Sequence, residues 1–307
     1  MNDMELHFKN YLDYCTLQKR LDRKTIKAYR IDLAQFASYI AGIPLEDITP
    51  DTLELYISHL HQHYRPKTVR RKIASLKAAF RYFEYKALIT QNPFSKVQIR
   101  FREPVILPKT IPLHTVEQLL KTIYSQIASG RTVRQRRDAL RDAAVCELLF
   151  STGIRISELC SLHAKDVNLR EGILLIYGKG SKERRIQLGN TDVIATLENY
   201  KAEFFSEIQS CQRFFANQSG RGLSAQTVRR RITRYTQLAS IDLHITPHMF
   251  RHTFATSLLE ADVDIRYIQE MLGHSSINIT QIYTHVAVSK QRDILASKHP
   301  RKDFILS

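Results

Sequence analysis

No apolar run in the 307 residues approaches the roughly 20 needed to cross a bilayer, which excludes a helical membrane span. The opening Met-Asn-Asp-Met-Glu-Leu has neither the basic nor the apolar region of a secretory signal, so a cytoplasmic location is expected. Cysteine is scarce: Cys15, Cys146, Cys160 and Cys211 form no C-x-x-C pair and read as buried free thiols of a reducing compartment. No low-complexity tract or fixed-period repeat is present. Acid is short as well. Against 46 Lys and Arg stand 30 Asp and Glu, a formal charge of +16, which implies a polyanionic partner, either nucleic acid or an anionic membrane surface.

The pattern divides into two parts, mostly α with a small β-hairpin. Residues 1–102 read as a helical bundle. Phe8, Leu12 and Cys15 share one stripe; Asp22 caps a helix carrying Ile26, Tyr29, Leu33, Phe36 and Ile40; Thr49-Pro50 opens a third with Leu53, Tyr56, Ile57 and Leu60. The fourth, 67–85, has Val69, Ile73, Leu76, Phe80 and Phe83 on its apolar face. Its other face gathers Lys67, Arg70, Arg71, Lys72, Lys77 and Arg81, with almost no acid on the helix until Glu84. Such a face is expected to touch DNA phosphates, which set register rather than sequence.

Pro104, Pro108 and Pro112 mark residues 103–112 as an extended linker. The second part, 113–307, begins with a helix over 115–129, a basic loop through Arg131, Arg134, Arg136 and Arg137, and an apolar helix over 137–150. Arg155 follows a glycine at a helix junction and has Glu158 within reach of an ion pair. Two β-prone runs, Ile173–Tyr177 and Arg184–Leu188, flank Gly178-Lys179-Gly180-Ser181-Lys182-Glu183. This is a hairpin with Lys179 at its turn; G-x-x-x-x-G-K-[ST] and a following helix, which a nucleotide loop requires, are absent. A helix over 224–238 carries Arg229, Arg230, Arg231 and Arg234 opposite Val228, Ile232 and Tyr235, and is expected to lie against a DNA groove.

The densest chemistry is near the C-terminus. Thr246 can cap a helix that Pro247 begins, placing His248 and Arg251 three apart on one face. Ile265, Ile268 and Leu272 keep helical spacing until Gly273, a helix terminator, so His274 follows a helix end. A short helix from Ile277 would then present Tyr283. Cations and donors around a phenol suit phosphoryl transfer, in which charge spreads over non-bridging oxygens. His248 and His252, at i and i+4, are also spaced like zinc ligands. A zinc site needs a glutamate base and a further ligand, and the cationic Arg251 lies between them.

These segments resemble the tyrosine recombinases, or phage integrase family, most closely the compact Xer type. The resemblance rests on Thr152-Gly-Ile-Arg155-Ile-Ser-Glu-Leu, Gly178-Lys179-Gly-Ser-Lys-Glu-Arg, Thr246-Pro-His248-Met-Phe-Arg251-His-Thr-Phe-Ala-Thr, Met271-Leu-Gly-His274-Ser-Ser and Ile282-Tyr283-Thr-His. It implies a helical core-binding domain followed by a catalytic domain. Arg155 and Arg251 would clamp the scissile phosphate, and Lys179 would protonate the leaving 5′ oxygen. His248 would act as acid/base partner, His274 would steady the pentavalent phosphate, and Tyr283 would be the nucleophile. The 3′-phosphotyrosyl bond conserves energy, so neither metal nor ATP is required.

The expected partners are double-stranded DNA with an inverted-repeat core site and three further protomers, identical or paralogous, exchanging strands through a Holliday junction, together with an activating partner in some systems. The apolar C-terminal tail would dock on the next protomer, and no membrane is involved. The expected work is resolution of chromosome or plasmid dimers, with integration of a mobile element as the alternative. Two other readings compete: a monomeric type IB topoisomerase and a DNA-binding accessory protein without catalysis. The chain departs from the family pattern in a longer basic loop between about Ser125 and Arg137, and in Phe250 and Asp262, where Leu and Gly are more usual.

Overall fold

The computed structural model describes residues 3–98, 109–178 and 183–273. The chain divides into two compact units, Met1–Val105 and Ile106–Ser307, each with its own core. Most of the proline-rich linker lies outside the described residues.

In the first unit four helices form the bundle that the apolar stripes predict: α1 (Asp3–Leu17), α2 (Arg23–Tyr39), α3 (Pro50–His63) and α4 (Pro66–Tyr85). Asp22 accepts from the Lys24 N–H at 2.8 Å, and Thr49 accepts from Thr52 at 3.3 Å, so two helix starts have their expected caps. The interior is aromatic: Phe8, Phe36, Phe80 and Phe83 are buried, and Phe36 meets Phe80 edge to face with centroids 6.0 Å apart. Such pairs each contribute about 0.5–1.5 kcal/mol beyond simple burial. One ionic group sits inside this unit. Asp32 binds the Lys72 ammonium at 3.1 Å and the Arg71 guanidinium, and Ser75 donates to it at 3.3 Å.

The second unit is built on α6 (Val133–Thr152), whose Ala143, Ala144, Leu148 and Leu149 are fully enclosed by α5 (Leu113–Ser129), α8 (Thr191–Glu203) and α11 (Pro247–Glu260). Residue Ile111, still within the linker by sequence, is buried in this core and its N–H donates to Thr253 at 2.8 Å. A three-stranded antiparallel sheet runs in the order β1 (Val167–Asn168), β2 (Ile173–Tyr177), β3 (Glu183–Gln187), with Leu174 opposite Ile186 and Ile176 opposite Arg184. The hairpin is as expected; β1 is additional. The remaining helices are α7 (Ile156–Ser161), α9 (Phe205–Cys211), α10 (Ala225–Leu238) and α12 (Ile265–Leu272).

Two local expectations need correction. The long basic loop after α5 is only Gly130-Arg131-Thr132. Thr132 accepts from Gln135 at 3.1 Å and starts α6 four residues earlier than the apolar pattern does, so Arg134, Arg136 and Arg137 are helical. Arginine is a good helix former, and a stripe criterion overlooks a polar first turn. Thr246 stands at the N-cap of α11 with extended backbone but makes no side-chain cap bond; the start relies on Pro247. The sequence pattern left residues 191–211 unassigned, where α8 and α9 form. Asp262, a departure from the family's glycine, adopts φ 62°, the left-handed region in which glycine costs least.

Candidate active site and nucleic-acid interface

Gly153 turns the chain out of α6 with φ 60°, and a Cβ there would lie 2.7 Å from Phe254 and 2.9 Å from Leu272. The turn brings Arg155 to the N-cap of α7. Glu158, one turn into α7, accepts from the Arg155 backbone N–H at 2.9 Å and from its guanidinium at 2.8 Å. The same carboxylate accepts two bonds from Arg184 of β3, at 2.7 and 3.1 Å. Burial pushes the Glu158 carboxyl up, but the hydrogen bonds and charge of Arg184 and Arg155 outweigh it and hold the group below its ordinary 4.5.

Arg251 comes from α11 and is buried. Its guanidinium donates to the Gly153 carbonyl at 2.8 Å and the Leu272 carbonyl at 2.6 Å. Arg155 reaches the Gly273 carbonyl at 3.4 Å, and Arg184 donates to the Met271 carbonyl at 2.8 Å. Three guanidinium groups thus meet the carbonyls of Met271, Leu272 and the capping Gly273, which lack intrahelical partners and carry the negative end of the α12 dipole. Gly273 ends that helix at φ 64°, as the sequence predicts, and the next residue is His274.

The structure therefore brings together Arg155 and Arg251. His248 lies one turn before Arg251 on α11 and is exposed. Lys179, His274 and Tyr283 lie outside the described residues, as does the C-terminal tail. Neighbouring His252 is half-buried with an unpartnered Nδ1 among the described residues; burial, His248 and Arg251 lower its pKa. Among the described residues no cluster of three His, Cys, Asp or Glu could hold a metal ion. Arg184 is the residue that sequence reasoning missed. Its one signal was strand alternation, which puts it on the same face as the buried Ile186 and Leu188.

The two basic helices are less uniform than their sequences imply. On α4, Lys67, Arg70, Arg71 and Arg81 are exposed and Lys77 stands 5.8 Å from the Phe94 ring centre. Lys72 is buried, bound to Asp32 and Gln35 and 4.7 Å from the Tyr64 ring centre, and is not placed to meet a phosphate. On α10, Arg229, Arg230 and Arg234 are exposed, whereas Arg231 faces inward to Asp142 and Asp138. An acid from another helix explains both exceptions. Among the described residues no helix is long and apolar enough to cross a membrane.

Residues 110–290 match the phage integrase family, and residues 8–86 match the phage integrase N-terminal SAM-like domain. A tyrosine recombinase of Agathobacter rectalis is 66% identical over 304 residues, covering 99% of each chain. The tyrosine recombinase XerD of Pseudomonas aeruginosa is 36% identical, covering 95% of this chain and 96% of its own. Among solved structures, the XerH site-specific recombinase bound to palindromic difH substrate superposes with a TM-score of 0.75 at 22% identity, over 94% of this chain and 83% of that one.

Proposed function

The chain belongs to the phage integrase family and is a tyrosine recombinase, and from that premise we propose that it cuts and rejoins DNA at a specific inverted-repeat site. Tyr283 attacks the scissile phosphorus, the 5′ oxygen leaves with a proton from Lys179, and the strand end remains as a 3′-phosphotyrosyl ester. A 5′ hydroxyl from a second strand then reverses the step, passing through a Holliday junction. Arg155 and Arg251 spread positive charge over the non-bridging oxygens, His248 handles the tyrosine proton, and His274 donates to the phosphorane. Nothing in this sequence of bonds consumes ATP or a metal.

The observation that carries the reading is the meeting of Arg155 and Arg251 at the carbonyl end of α12, directly before His274. Two fork donors held on separate helices by backbone and carboxylate contacts are preorganised for a dianionic transition state. The exposed Lys67, Arg70, Arg71, Arg81, Arg229, Arg230 and Arg234 supply phosphate contacts along the duplex. Recombination of two sites requires four protomers, and the apolar residues after Tyr283 serve to link them. Resolution of chromosome or plasmid dimers in the cytoplasm is the expected work, with integration of a mobile element as the alternative.

The deciding experiment is covalent capture. The protein is mixed with fragmented host DNA, quenched in denaturant, and the linked DNA sequenced beside Tyr283→Phe. Enrichment of one short inverted repeat, lost in Tyr283→Phe, is expected. Linkage at all sequences would indicate a topoisomerase, and sequence-specific binding without linkage would indicate an accessory protein.

A further inference from the structure

We propose that Arg184 is a positioning residue for catalysis: it fastens the Glu158–Arg155 pair to the carbonyl end of α12, and so sets where both phosphate-binding arginines stand. The proposal rests on the recombinase reading above. Arg184 uses its fork in two directions. Its Nη1 and Nη2 bind the two oxygens of Glu158 at 3.1 and 2.7 Å, while Nε donates to Met271 at 2.8 Å. One side chain thus joins α7, β3 and α12. Through these bonds it touches the partner of Arg155, the helix end that receives Arg251, and the residue pair before His274.

The packing is close enough to matter. A Cβ on Gly273 would lie 3.0 Å from the Arg184 Cδ and Nη1, so the helix end and the guanidinium sit in contact. Arg184 is also the second residue of β3, the strand that returns from the hairpin carrying Lys179, with Ile176 as its cross-strand partner. A shift of the guanidinium therefore passes to three catalytic segments at once. Lysine cannot replace it, because one ammonium has no planar fork to serve a carboxylate and a carbonyl on opposite sides. Misplacement of a catalytic group by about 1 Å can cost about 10²-fold in rate.

Glu158 is the link through which Arg184 acts on Arg155. It faces Arg155 on α7 and Arg184 on β3, and it borders a 280 Å³ pocket shared with His163, Lys165, Asp166, Tyr177 and Arg213. With Arg184 replaced, burial of Glu158 is opposed by Arg155 alone. The carboxyl then protonates at higher pH and releases Arg155, moving the acid side of the rate profile to higher pH than in the unaltered protein.

The test uses the full chain and fragmented host DNA, with the rate of covalent linkage followed from pH 5 to 9 for Arg184→Gln, Arg184→Lys, Glu158→Gln and Arg184→Gln/Glu158→Gln. Thermal unfolding and salt-dependent DNA affinity are measured on the same proteins. Linkage in both Arg184 variants should fall about 10–100-fold while DNA affinity stays within twofold. Arg184→Gln should show that shift of the acid limb to higher pH, and the double variant should be no slower than its slower parent, since both changes break one chain of contacts. Wild-type linkage rates and an unchanged pH profile in Arg184→Lys and Arg184→Gln would overturn the proposal, as would multiplicative losses in the double variant. If Arg184→Gln unfolds, Arg184→Lys and the ratio of its loss to that of Glu158→Gln decide alone. Absence of linkage in the unaltered protein would instead overturn the recombinase reading.

Discussion

Asp32 in the first unit and Glu158 in the second are built alike and serve different ends. Each is a carboxylate almost sealed from solvent that holds two cations, one inside and one half outside. For Asp32 these are Lys72, with 3% of its side chain exposed, and Arg71, with 44%. For Glu158 they are Arg184, at 9%, and Arg155, at 35%. The difference lies in what the inner cation does with its remaining donors. Lys72 turns to Gln35, so every hydrogen-bond partner in the group is on α2 or α4 and the group locks two helices in register. Arg184 reaches the Met271 carbonyl and ties three elements into one site. A buried ion pair is thus a fastening between two helices in one unit and a junction of three elements around Arg155 in the other.

The largest effect should come from breaking the first fastening. Asp32→Ala leaves Lys72 charged and enclosed, which costs about 3–5 kcal/mol. Urea unfolding followed by fluorescence from the first unit's tyrosines should lose most of its stability. A loss below about 1 kcal/mol would mean that the network relaxes into water.

An intermediate effect concerns Glu158 and pH. Because Glu158 is held below 4.5 in the folded chain, its contribution is fully present above 4.5 and disappears as pH falls through its lower folded value. The urea midpoint of the second unit should therefore decline on acidification below 4.5 more steeply in the unaltered protein than in Glu158→Gln. Parallel curves would show that Glu158 titrates as an ordinary carboxyl.

The smallest effect concerns cations that the comparison classes as outer or inner. Arg230→Ala should lower the slope of log affinity for duplex DNA against log salt by about 0.9 per lost phosphate contact. Lys72→Met should leave the slope unchanged because the ammonium faces Asp32. Equal changes in both variants would remove the distinction between the two classes.

Much of this was legible in order along the chain. Apolar stripes located α1 to α4, α10 and α12, while Asp22, Thr49 and Gly273 marked helix ends through chemistry acting within a few residues. Spacing also singled out Arg155, His248 and Arg251, and the pairing of Arg155 with Glu158 three residues on. The failures were of two kinds. The polar first turn of α6 has no stripe, so the pattern missed it. The inward cations were missed because their partners are distant: Lys72 meets the Asp32 carboxylate across 40 residues, Arg231 meets the Asp142 carboxylate across 89, and Arg184 meets the Met271 carbonyl across 87.

By itself, then, the amino-acid order determined most of the helices, several of their caps, the family and the candidate groups suited to phosphoryl transfer, because each depends on near neighbours or on matching residue types. Only the tertiary structure decided which basic residues face solvent and which stand inside, and that Arg184 joins the arginine pair to the end of α12. A positive charge is placed by whichever carboxylate folding brings beside it, and that encounter between distant segments leaves no period in the sequence.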